Sequence, residues 1–91
     1  MESEKKEIPE INFIEFVMML TMTGLYQLGK APHPETGQFC RDLNQAKQTI
    51  NLLTILEEKT KNNLTKEEEE TLMSGLTSLR LAYAEEVKKE N

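Results

Sequence analysis

Hydrophobic positions are spread unevenly along the chain. Over residues 13–28, FIEFVMMLTMTGLYQL, they run almost without interruption, whereas the rest is charged and amphipathic. At about 100° per residue, Phe13, Val17, Leu20, Gly24 and Leu28 share one face of a helix. Ile14, Met18, Leu25 and Met22 carry that face further round the cylinder, and only a strip holding Glu15, Met19, Thr23 and Tyr26 is mixed. A helix this apolar has to be buried on most sides. Asn12, with Glu15 three residues on, forms a capping box, and Ile11 and Phe16 take the places of a hydrophobic staple. Gly29 supplies the left-handed residue on which helices commonly stop.

Two amphipathic patterns follow. In the first, Leu43, Ala46, Ile50 and Leu53 form an apolar stripe, with Leu52 and Leu56 beside it and Ile55 on the polar side. Asp42 and Gln45 make its capping box. The pattern ends in Lys59 and Lys61, which suit the negative end of a helix dipole, and Asn62 or Asn63 can take a left-handed turn. In the second, Thr65 caps with Glu68, and the glutamates 67–70 sit where the dipole is positive. Leu72, Leu76, Leu79, Tyr83 and Val87 then fall at spacings of three and four, with Met73 alongside, as in a helix lying on a neighbour at a shallow angle. The prediction is three helices over 13–28, 43–61 and 66–88, with no strand.

The segments between helices are rich in turn formers. Pro32 and Pro34 bias their predecessors to extended backbone, and Pro34-Glu35-Thr36-Gly37 has the composition of a tight turn. This connection is longer than two helices usually need, so it is expected to cross the bundle end, anchored by Phe39. Residues 1–10 are polar apart from Ile8, with Pro9 near their end, and read as a flexible tail. Residues 11–88 then make one helical domain, and the glutamate- and lysine-rich end, including 89–91, reads as fraying.

Charge and composition narrow the functional classes. The chain carries 11 Lys+Arg against 16 Asp+Glu, a net charge of −5, so phosphate contacts from clustered positive charge are disfavoured. Lys30, Arg41 and Lys47 could make a small basic patch near the loop, which the net charge opposes. The single cysteine, Cys40, excludes an intramolecular disulfide framework. His33 is likewise alone in its type, and without a second-ligand spacing it reads as an exposed turn histidine beside a partly buried thiol. The glutamates 67–70 point round the helix in different directions and cannot converge on one ion. No catalytic, cofactor or metal site is therefore assigned. The apolar run is shorter than the ~20 residues a membrane span needs and lacks the flanks of a signal peptide, which points to a cytoplasmic chain that does not engage a membrane.

Pro34-Glu35-Thr36-Gly37, the run LNQAKQTINLL, the run EEKTKNNLTKEEEE and the later LRLAY together resemble a bacterial family, domain of unknown function 1844. The resemblance spans about residues 13–83, and its most specific part is Lys59-Thr60-Lys61-Asn62-Asn63-Leu64-Thr65. Two departures are visible: the family typically has Gly at the position of Asn62 and Asp at that of Asn51. The first is compatible with the same left-handed turn, and the second weakens any catalytic reading of that position. The resemblance implies a short, mainly helical, bacterial cytoplasmic protein, with no catalytic or cofactor residues to carry over.

The all-α reading therefore becomes a small three-helix bundle completed by dimerisation. Helices two and three each offer one stripe, too little to cover the first helix, so a self-interface is expected at Phe13, Ile14, Val17, Met18, Leu20, Met22 and Gly24. Contiguous apolar surface of this kind usually marks an interface, Met18, Met19 and Met22 are adaptable contact residues, and Gly24 would let another backbone approach. The functional expectation is a non-catalytic, self-associating interaction module: a homodimer, with room for a further protein partner and none for nucleic acid. The alternatives are a small enzyme or metal protein with a site shared between subunits, built from His33, Cys40, Glu35 and Asp42, or a nucleic-acid-binding regulator.

Overall fold

A computed structural model describes residues 10–90. It contains three helices, α1 (Phe13–Gln27), α2 (Leu43–Lys59) and α3 (Lys66–Glu90), and among the described residues there is no strand. Apart from Glu10, the expected tail lies outside the described residues.

The helix starts are chemical before they are architectural. The Glu15 amide donates to Asn12 Oδ1 at 2.8 Å and the Gln45 amide to Asp42 Oδ1 at 3.2 Å. At α3 the box is reciprocal: the Glu68 amide donates to Thr65 Oγ1 at 3.1 Å, and the Thr65 amide to Glu68 Oε1 at 2.9 Å. The stops are equally specific. At the end of α1 the Gly29 amide donates to Tyr26 O and the Lys30 amide to Leu25 O, the paired bonds of a Schellman motif, with Gly29 at φ 75°. After α2 the left-handed position is Asn62, at φ 69°. That helix stops at Lys59, two residues short of the expected 61: the Thr60 amide makes the last i→i−4 bond, to Leu56 O, and the chain then turns at left-handed Asn62, with the Asn63 amide donating to Thr60 O at 2.9 Å.

Each helix packs on both others. Val17 and Leu28 from the first, Ala46, Ile50 and Leu53 from the second, and Leu72, Leu76 and Leu79 from the third form the buried core. Burying each of these leucine or valine side chains is worth about 1.5–3 kcal/mol. Leu52 is not part of this core. It stands half exposed on the outer side of α2 near Ile55, because Ala46, Thr49, Ile50 and Leu53 take the inward arc.

The first and third helices run side by side at unusually short range. A Cβ added to Gly24 would lie 2.8 Å from Leu79 Cδ2, and one added to Gly75 would lie 2.5 Å from Thr21 Oγ1. Gly24 thus admits a neighbour of its own chain, where the sequence suggested another molecule. Thr21 tolerates this apolar seam because its hydroxyl donates back to Val17 O at 2.8 Å.

The connection between α1 and α2 does not cross the bundle end. The Asp42 amide donates to Gln27 O at 2.8 Å, so the chain returns to the point where it left α1. The excursion is closed by the His33 amide donating to Gln38 O and the Gly37 amide to His33 O, both at 2.8 Å, with Gly37 at φ 72°. Phe39 is 65% exposed and anchors nothing. A loop whose ends meet in this way needs no anchor in the core.

Candidate functional surface

The outer side of α1 is the first feature that folding leaves unexplained. Met18, Met19 and Met22 are 55%, 56% and 42% exposed, and Phe16 is exposed beside them. Of the seven residues expected at a self-interface, Met18 and Met22 stand in solvent and Ile14 is half-buried. Val17 and Gly24 are buried inside the chain, and Phe13 and Leu20 pack against its core. The width of the apolar arc was legible from the sequence; which edge α2 and α3 would cover was not. They cover the edge centred on Val17 and Gly24, the side where a missing side chain lets α3 come close. The uncovered surface therefore extends through Met19 to Tyr26, which the periodicity placed in a mixed strip.

Beside this ridge lies an open groove of about 480 Å³. Met18, Thr21 and Met22 form one side, and the small residues Thr71, Ser74, Gly75 and Ser78 of α3 the other; Glu67 and Glu70 close one end. No residue of α2 contributes to it.

The second unexplained feature is a carboxylate. Glu86 is 5% exposed, near the end of α3 that was expected to fray. Lys30 Nζ and Arg41 Nη1 approach it from the two ends of the α1–α2 connection, at 3.0 and 2.7 Å, and Lys89 Nζ lies 2.9 Å away. Lys30 also pairs with Glu85, and Arg41 with Glu90. Hydrogen bonds from Lys89, Arg41 and Lys30, in that order of weight, hold the Glu86 carboxyl down to about 2, against desolvation that would raise it. The same bonds, led by Glu86 in each case, raise Lys30 and Arg41 above their ordinary values. The third helix consequently stays ordered to Glu90, two residues beyond the expected 88. Sequence reasoning missed Glu86 because a glutamate among lysines near a chain end resembles any solvated helix end. Its place in the register of Leu72 and Leu79, seven residues beyond the latter, was the available signal.

His33 and Cys40 sit in the exposed loop. The His33 ring lies 6.0 Å from that of Tyr26, and its Nδ1 accepts from the Glu35 amide at 3.1 Å, so it is engaged locally. Cys40 is exposed rather than partly buried, as the looped-out connection leaves it no wall to lie against. Asp42 caps α2. Among the described residues no group of three or more His, Cys, Asp or Glu is placed to hold a metal ion, and no helix is long and apolar enough to cross a membrane.

Set against known proteins, residues 10–85 match the family model described as Domain of unknown function (DUF1844). No curated protein and no solved structure matches the chain.

Proposed function

The chain belongs to the DUF1844 family, and for this member we propose a non-catalytic role, as a helical interaction module that self-associates through the outer face of α1. The observation that carries the reading is the row of exposed methionines, Met18, Met19 and Met22, on a helix whose opposite face already fills the core. An apolar face left in water by a bundle of this size is characteristically an interface, and methionine suits a surface that adapts to what it meets. The nucleic-acid alternative loses its best cations, since Lys30 and Arg41 are both engaged by Glu86. A catalytic alternative would draw on His33 and Cys40, which the loop displays without a positioned base or acid. As a cytoplasmic homodimer the module would hold the methionine face inside the assembly. Sedimentation equilibrium over a wide concentration range tests this: the mass should rise well above the 10.5 kDa of one chain. A mass that stays at one chain throughout overturns it.

A further inference from the structure

The groove between α1 and α3 and the ridge beside it lie on one face, and their shapes complement each other. Met18 and Met22 project, while Ser74, Gly75 and Ser78 recede. Resting on the self-association proposed above, we infer that the groove receives α1 of a second copy, laid antiparallel about a two-fold axis. The Met18–Met22 ridge of each copy then fills the trench of the other.

Two arguments select this occupant and this orientation. A two-fold interface uses the same patch twice, so it must present both the knob and the hole, and here they are adjacent. Long, unbranched methionines are the side chains able to follow a trench floored by glycine and hydroxyls. Charge then decides the direction. Glu67 and Glu70 close one end of the groove, so an axis running along the helices would set the two acidic ends against each other. An axis across the helices sends each acidic end to the far end of the other copy, where Ser78 lies. Between residues 67 and 78 the groove is ~17 Å long, and two helices side by side are ~20 Å wide. That footprint, ~340 Å² per partner, is under half the ~800 Å² that is standard for specific interfaces, so the pairing is a weak, concentration-dependent one.

The orientation is testable with one charge. Ser78 is exposed, and the residues three and four away on its own helix (Ser74, Gly75, Leu81 and Ala82) carry no acid. Among the described residues Ser78→Lys would therefore meet no acid within one turn of its own helix, and the acidic partner it gains is the one across the interface. Measured by sedimentation equilibrium at low salt, Ser78→Lys should tighten the dimer several-fold, and high salt or Glu67→Gln with Glu70→Gln should remove the gain. Ser74→Arg, also at an exposed position, should abolish the dimer while leaving the helical circular dichroism of the monomer unchanged. A weaker dimer with Ser78→Lys would mean parallel pairing and overturn the orientation, leaving self-association intact. A dimer indifferent to both substitutions would overturn the groove as the interface. A parent chain that is monomeric at every concentration would overturn the self-association itself.

Discussion

The far end of α3 and the outer face of α1 break the same rule in opposite directions. At Glu86 a charge is buried; at Met18, Met19 and Met22 apolar side chains are left in water. The first is resolved within the chain. Three cations converge on Glu86 from Lys30, Arg41 and Lys89, so its burial closes the loop between α1 and α2 onto α3. The second has no resolution within residues 10–90, because α2 and α3 are already committed to the opposite side of α1. The contrast separates two kinds of exception: a buried polar group supplied with partners belongs to the fold, and an exposed apolar face without them points outside it.

The largest expected effect comes from breaking the first exception. Glu86→Ala removes the carboxylate that Lys30, Arg41 and Lys89 share, and with it the tie that holds both ends of the α1–α2 loop on α3. The cations are about a third or more exposed, so the loss is of that tie and its packing rather than of a stranded buried charge. Urea unfolding at neutral pH should show a lower midpoint for Glu86→Ala than for Gly75→Leu or Thr65→Ala. The milder Glu86→Gln adds a pH signature. The carboxyl is held to about 2 when folded, below its ordinary 4.5, so the folded state binds fewer protons in that window. Its stabilisation is complete above the ordinary carboxylate range and is lost as pH falls toward 2. The gap between parent and Glu86→Gln should therefore narrow on acidification from pH 5 to roughly pH 2. A gap independent of pH would mean that the cluster contributes by packing rather than by charge.

Next in size is the seam that seats α1. Gly75→Leu forces a side chain toward Thr21, where even a Cβ lies 2.5 Å from the hydroxyl oxygen. Overpacking of this kind costs about 1–3 kcal/mol, more than the helix propensity that replacing glycine returns, about 1 kcal/mol. Denaturant unfolding should show a net loss. A gain would indicate that α1 can slide outward on α3, and that the methionine face is not rigidly presented.

Smaller still is Thr65→Ala, which removes the acceptor for the Glu68 amide and should cost about 1 kcal/mol. A double-mutant cycle with Glu68→Ala should show coupling, since each side chain bonds the other's amide. Additivity would place the start of α3 elsewhere.

How much of this was legible beforehand follows from the range of the interactions involved. The helix starts and the stop at Gly29 depend on neighbours within five residues, so caps and glycines placed them almost to the residue. Asn62 took the left-handed turn for the same reason. Phe39 and Leu52 were misplaced because their burial is decided by elements distant in sequence: a loop that closes on itself in one case, the rotation of α2 in the other. Glu86 depends on residues 45 and 56 positions away, Arg41 and Lys30, and no local pattern announces such a cluster. The methionine face was half legible. Periodicity showed that α1 is too apolar for two neighbours, while the close approach at Gly24 and Gly75 chose the side left open.

The smallest expected effect sharpens the comparison most. Met18→Gln with Met22→Gln exchanges residues of similar helix propensity at positions 55% and 42% exposed. If the outer face contributes nothing to the single chain, unfolding at dilute concentration should move by no more than about 0.5 kcal/mol, as for ordinary surface changes. At concentrations where the parent chain associates, the parent should gain stability by mass action and the double variant should not. The two unfolding curves should thus coincide when dilute and separate when concentrated, with the parent the more stable. Curves that separate equally at every concentration would show that the methionines stabilise the bundle from within its own chain. The outer face would then belong with Glu86, as an exception that the fold itself explains.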